Sequence, residues 1–332
     1  MQEVKLTAQI RSSRIGFGCA GLLREPSPRL RRQVLESAFD HGIRHFDVAR
    51  MYGLGAAEGE LGRFLRGRRE EVVVATKFGI EPGRSTGRLA RLQGPARALL
   101  ERFPALRSQV KRRAAKLDRP HRYDVATAKR HLETSLRELR TDYVDILFLH
   151  GPSAHETFDV QALCEFLEDA RRAGRVRAWG VAGERSDCLA LAHGLPETTL
   201  LQVREDIFSR GRAREDGVAQ REAAQRARIT YGALSGALEA ILDSGWQPPR
   251  HTQRSESSAR MSRGERADAL ASLLLADALQ ARPDGVVLYS TTKPQRLATV
   301  DRAVAAAEHE PETLLALRAE LAIEPVSAGV GG

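Results

Sequence analysis

FDVARMYG (46–53), VVVATKFG (72–79) and VDILFLHG (144–151) decide the fold. Each begins as a short apolar run rich in β-branched or aromatic residues, the signature of a strand buried on both faces. Each then delivers a chemically capable side chain at or just past its end: Asp47 with Tyr52 beyond it, Lys77, and His150. A lysine closing a run such as VVVAT is unusual, because a long ammonium side chain is seldom buried unless it is paired.

Outward from these three runs, strand-like and helix-like segments alternate. Strands are expected at 14–20, 44–49, 72–78, 143–149, 176–182, 200–206, 228–234 and 285–290. Helices are expected at 29–41, 57–66, 125–139, 159–173, 186–193, 215–227, 263–281 and 294–307, with one more at about 312–322. The helix at 125–139 is typical, with Val125, Ala128, Leu132, Leu136 and Leu139 at spacings of three and four. Eight strand-then-helix units without an internal linker predict an α/β fold of the (β/α)8 barrel type, a single domain over 1–332. In such a barrel the functional face lies at the C-terminal ends of the strands, where Asp47, Lys77 and His150 fall. Two long connections, 80–124 and 235–262, open on the same face.

GFGCAG (16–21) matches a GxGxxG dinucleotide fingerprint, with Asp47 ending the next strand. A dinucleotide-binding helix must start at the third glycine to present its N-terminus to a pyrophosphate. Here Pro26 and Pro28 delay the helix until Ser27 can cap it with Pro28 in its first turn. The glycines are instead expected to let the backbone pass close to a ligand at the barrel mouth.

The chain has 332 residues, is 42% hydrophobic and carries a formal charge of +9. The charge is local. Between Arg84 and Arg122 stand twelve Arg and Lys against two acids, Glu101 and Asp118, so the rest of the chain is close to neutral. Phe103 is the one aromatic residue of that stretch, so the stacking positions of a nucleic-acid surface are missing and no nucleic-acid partner is expected. The segment 80–124 reads instead as a basic, lid-like insertion after the third strand. Its sharper reading is attraction of an anionic or carrier-presented substrate. No apolar run approaches a membrane span, and the start MQEVKL has no leader pattern, so a cytoplasmic protein without a membrane partner is expected. Cys19, Cys164 and Cys188 are too scattered for a disulfide framework or a metal site, and no metal is expected. Oligomeric state is left open.

Taken in order, FDVARMYGxGxxExxLG, VVVATKFG, SLRELRTDYVDILFLHGP, GRVRAWGVAG, QVREDIFSR and TYGALSG resemble the aldo-keto reductases from about residue 13 to 307. The resemblance implies a (β/α)8 barrel that binds NADPH, or alternatively NADH, without a dinucleotide-binding α/β sheet. It also implies a catalytic tetrad of Asp47, Tyr52, Lys77 and His150. Tyr52 would be the general acid that protonates the oxygen of an aldehyde or ketone during hydride transfer, with Lys77 lowering its pKa, Asp47 holding Lys77, and His150 orienting the carbonyl. Gln202 would bond the nicotinamide amide, Tyr231 stack on its ring, the backbone at Gly18 and Cys19 approach it, and Asp47 also reach its ribose. Ser290, Thr291 and Arg296 would lie along the adenosine phosphates, Arg296 favouring NADP. The family's Ser-Asn pair after the fifth strand is Ala182-Gly183 here, which would either weaken cofactor binding or let another group, Arg204 or Glu184, substitute. Two other readings stay open: a sugar or alcohol dehydrogenase working oxidatively, and a non-catalytic nucleotide-sensing barrel. Trp246 could line the pocket or pin its loop.

Overall fold

The computed structural model describes residues 1–82, 121–212, 226, 228–248 and 261–321. The predicted helix at 215–227, apart from Arg226, and the body of the basic insertion, 83–120, lie outside the described residues.

The chain opens with an antiparallel hairpin, β1 (Glu3–Lys5) and β2 (Arg11–Ser13). Eight parallel strands follow: β3 (Ile15–Gly18), β4 (His45–Asp47), β5 (Val73–Phe78), β6 (Val144–His150), β7 (Val176–Gly183), β8 (Leu200–Arg204), β9 (Ile229–Tyr231) and β10 (Val286–Tyr289). Each pairs with the next, and β10 closes on β3, so the sheet is a barrel without an edge. This is the predicted (β/α)8 architecture.

Strand geometry sorts the residues into two shells, because successive side chains point to opposite faces. Phe17, Phe46, Val74, Phe78, Leu147, Leu149, Val181, Val203 and Val287 face outward and form one buried cluster with the surrounding helices. Val73, Ala75, Ile146, Phe148, Ala178, Leu200, Ile229, Val286 and Leu288 fill the barrel interior. Val4, Leu6 and Ile10 of the hairpin join this inner cluster, so the hairpin closes the N-terminal end of the barrel. The sequence reading missed it: each strand is three residues long, too short to stand out by periodicity.

The helices are set by local signals. α1 (Pro28–Asp40) starts where Ser27 accepts from the amide of Leu30 and Pro28 occupies the first turn, as the sequence predicts. α2 spans Ala57–Phe64. α3 (Val125–Leu139) is capped by Asp124, and α4 (Val160–Arg172) by Asp159. α5 (Arg185–Ala192), α6 (Ile207–Arg212) and α7 (Ala237–Asp243) are short. α8 (Arg263–Ala281) carries a full capping box between Ser262 and Glu265. α9 (Ala298–His309) follows a 3-10 turn at Pro294–Leu297, and α10 spans Pro311–Glu320. Among the described residues no helix is long and apolar enough to cross a membrane.

Candidate active site

Period-two alternation puts one inward-facing residue at the C-terminal end of each barrel strand: Gly18, Asp47, Lys77, His150, Ala182, Gln202, Tyr231 and Ser290. All eight line one cavity of about 610 Å³. Tyr52 joins them from a 3-10 turn, Tyr52–Gly55, that follows β4 and begins where its amide bonds Ala49 O at 3.0 Å.

Asp47, Lys77 and Gln202 are buried and hydrogen-bonded in series. Lys77 Nζ donates to Asp47 Oδ1 at 2.5 Å and to Val48 O at 3.2 Å. Gln202 Nε2 donates to Asp47 Oδ2 at 2.7 Å. The ammonium lies 5.2 Å from the Tyr52 ring centre, and the Tyr52 and His150 rings meet edge to face at 5.7 Å. The four side chains named by the sequence therefore share one end of the barrel.

Burial raises the Tyr52 pKa, opposed by the charge of Lys77 and supported by that of Asp47; the net direction is upward. The expectation that Lys77 acidifies the phenol holds for its own contribution, but desolvation outweighs it in this structure. Burial alone would lower the Lys77 pKa, yet Asp47 and Tyr52 together raise it, so the lysine is held as an ammonium.

Beneath this group, inside the barrel, lies His45. It is fully buried, its Nδ1 is 3.1 Å from Ser12 Oγ, and its Nε2 has no hydrogen-bond partner. Burial pushes its pKa down to about 4, so the ring is neutral. His45 also explains the first glycine of GFGCAG. A Cβ on Gly16 would lie 2.9 Å from the His45 ring and 2.6 Å from Leu288. Gly16 thus makes room for interior packing and not for a ligand, contrary to the sequence expectation. Gly18 does line the cavity, but a Cβ there would lie 2.5 Å from Ser290 Oγ, which donates to the Gly18 carbonyl at 2.6 Å.

Other predicted contacts divide. The Tyr231 hydroxyl donates to Gly183 O at 3.1 Å and holds the ring on the cavity wall. Cys19 is fully buried in the outer core, where desolvation pushes its thiol far up, so only its backbone can face the opening. Thr291 turns its hydroxyl to Lys293 O at 3.4 Å. Arg296 stands outside the cavity wall, half exposed, with Asp268 3.8 Å away. Glu184 lines the cavity and is 3.6 Å from Arg204, which does not. Trp246 is buried in the outer core and pins its loop.

The two ends of the basic insertion sit on the rim. Ile80 and His121 form an isolated antiparallel bridge, Arg122 N donates to Gly79 O at 2.8 Å, and both bridge residues line the cavity. Tyr123 then donates to His150 O at 2.7 Å. Sequence reasoning missed His121, Asp187 and Arg24 on the wall. For Arg24 a signal existed, a basic side chain three residues beyond GFGCAG.

The model of the Aldo/keto reductase family matches residues 14–312. A D-threo-aldose 1-dehydrogenase of Pseudomonas is 32% identical over 207 residues, 57% of this chain and 55% of its own. Aldo-keto reductase yakc [NADP(+)] of Schizosaccharomyces pombe is 28% identical over 200 residues, 59% of this chain and 49% of its own. The chain thus spans about half the length of these curated relatives. Among solved structures, an aldo-keto reductase from Klebsiella pneumoniae in complex with NADPH superposes with a TM-score of 0.65 at 20% identity, covering 98% of this chain and 96% of that one. The glycerol dehydrogenase of Gluconobacter oxydans superposes with a TM-score of 0.65 at 18% identity over 99% of both chains. At these identities the structures speak to the fold alone.

Proposed function

The chain belongs to the aldo/keto reductase family, and from that premise we propose that it is an NADPH-dependent reductase of aldehydes or ketones with Tyr52 as the proton donor. The observation that carries the reading is the convergence of Asp47, Tyr52, Lys77 and His150 on one cavity. Four separate elements deliver these groups, which packing alone does not require.

The chain's residues suit a nicotinamide dinucleotide. Gly18 lines the cavity with its backbone, the place of a Cβ being taken by Ser290 Oγ 2.5 Å away, and Tyr231 offers an aromatic face. Gln202, Gly183 and Tyr231 would hold the nicotinamide end; Ser290, Thr291 and the half-exposed Arg296 would hold the phosphate end. The cofactor supplies the hydride. The name of the yeast relative agrees with NADP as the form used.

The protein's part is the proton. Negative charge develops on the carbonyl oxygen, and a buried phenol within reach can stabilise it and donate. Burial keeps Tyr52 protonated across the neutral range, and the Lys77 ammonium favours the phenolate once the proton has left. Asp47, gripped on both oxygens by Lys77 and Gln202, fixes where that ammonium sits. His150, edge-on to Tyr52, directs the carbonyl from the other side. By microscopic reversibility the same groups serve alcohol oxidation, the reading favoured by the name of the Pseudomonas dehydrogenase.

Fluorescence titration with NADPH and NADH, followed by turnover against a panel of aldehydes, ketones and sugars, tests the proposal. Tighter NADPH binding with aldehyde reduction is expected. Binding without turnover of any substrate in either direction would make the barrel a nucleotide sensor instead.

A further inference from the structure

We propose that Arg24 is a substrate anchor, so that the carbonyl compound this cavity takes bears an anionic group, a carboxylate or a phosphate, received by the Arg24 guanidinium. The inference rests on the carbonyl-reductase reading and narrows its substrate class.

The charge of the cavity wall carries it. Most of the ionic groups that line the cavity are paired or held by the backbone. Lys77 is bonded to Asp47. Glu184 faces Arg204 at 3.6 Å, and His121 Nδ1 lies 3.4 Å from Glu156. Asp187 accepts from Ala154 N at 3.0 Å and sits in the first turn of α5, where the helix end favours a negative charge. Arg24 lines the same cavity, is exposed, and has no ion pair or hydrogen bond from its side chain among the described residues.

Acids nearby are already committed. The Glu25 carboxylate accepts from Ser27 N at 2.9 Å, on the α1 side. Glu60 is held by Arg31 at 2.7 Å and by Arg63 at 2.8 Å, and Glu58 by Arg50 and by Thr76 at 2.7 Å. Among the described residues the guanidinium is thus the one Arg or Lys charge of the wall without an acidic partner, and a planar fork of donors matches a carboxylate or phosphate in geometry.

Placement assigns the anion to the substrate and not to the dinucleotide. Arg24 ends the 3-10 turn Cys19–Arg24 that follows β3. Its neighbour Leu23 packs so closely on Gly53 that a Cβ there would lie 2.5 Å from Leu23 Cγ. Gly53 directly follows Tyr52. The segment presenting Arg24 and the segment presenting the proton donor are therefore packed together, which puts the cation on the Tyr52 side of the opening.

The test uses matched pairs: 4-oxobutanoate against butanal for a carboxylate, and glyceraldehyde 3-phosphate against glyceraldehyde for a phosphate. For the wild type, kcat/KM is expected to favour the anionic member of at least one pair, which also tells carboxylate from phosphate. In Arg24→Gln that preference falls about 10- to 100-fold through KM, the scale of one charge-assisted bidentate contact. Arg24→Lys keeps part of it. Equal use of both members by the wild type would overturn the inference. So would a loss in Arg24→Gln shared equally by charged and neutral aldehydes with a raised KM for NADPH, since that places the guanidinium on the dinucleotide. Should no carbonyl be turned over, the reductase reading fails separately. Calorimetric titration of the NADPH-loaded protein with succinate and with inorganic phosphate then decides: binding that Arg24→Gln abolishes supports the anchor, and no binding to the wild type refutes it.

Discussion

Gln202 and Lys77 grip opposite oxygens of one carboxylate: Gln202 Nε2 is 2.7 Å from Asp47 Oδ2, and Lys77 Nζ is 2.5 Å from Asp47 Oδ1. The carboxylate is buried, so neither oxygen can exchange its partner for bulk water without cost. Its orientation, and through it the place of the ammonium beside Tyr52, is set from two strands at once.

Replacing Gln202 with Leu leaves Asp47 Oδ2 without its donor in a buried site. A destabilisation of about 1–3 kcal/mol is expected, the cost of one unsatisfied buried acceptor next to a charge. Urea unfolding of the ligand-free protein measures it, which separates this effect from any contact Gln202 makes with a cofactor.

Asp47→Asn removes the charge that holds Lys77 ionised. Burial then dominates and the lysine pKa falls. Breaking a buried pair in this way costs about 3–5 kcal/mol. The pH dependence follows from the sign of the shift. Because the folded Lys77 pKa is raised, its contribution is complete below the unfolded value near 10.4 and is lost as pH rises through the folded value above it. Wild-type stability should therefore decline through this alkaline window, and Asp47→Asn should flatten that decline.

His45 predicts the opposite limb. Its folded pKa of about 4 lies below its ordinary 6.5, so its contribution is whole above pH 6.5 and disappears as pH falls through 4. The shift corresponds to about 3 kcal/mol. Between pH 7 and pH 4 the wild type should lose about that much more stability than His45→Gln, as read by denaturant midpoints at each pH.

For the reaction, kcat/KM reports groups of the free enzyme. Reduction needs Tyr52 protonated, and burial raises its pKa above 10. The reductive rate constant should stay flat from pH 6 to 9 on account of this group and fall only above pH 10. A limb near pH 7 would require a different acid.

Much of this was legible because barrel strands end on residues that break the local rule. Lys77 after VVVAT and Asp47 after HF are charges at the close of buried runs, and both proved to be buried, Asp47 as the last residue of β4 and Lys77 as the last but one of β5. The capping signal Ser27-Pro28 placed the start of α1, although the helix expected at 29–41 spans Pro28–Asp40. What escaped was whatever depends on contacts between distant segments. Gly16 reads as a ligand glycine until His45 and Leu288 are seen to fill its space. The hairpin at Glu3–Lys5 and Arg11–Ser13 matters only because the barrel has an open end for Val4, Leu6 and Ile10 to fill. Net acidity at Tyr52 could not be read from residue types, since it depends on how deeply the ring is buried against how near the ammonium lies.

The most direct test of the central claim, that Tyr52 donates the proton, is single-turnover reduction of an aldehyde by NADPH-loaded wild type and Tyr52→Phe. The account predicts that loss of one hydroxyl slows the chemical step at least about 100-fold, the lower end of what a positioned general acid contributes. A Tyr52→Phe rate within twofold of the wild type would contradict it.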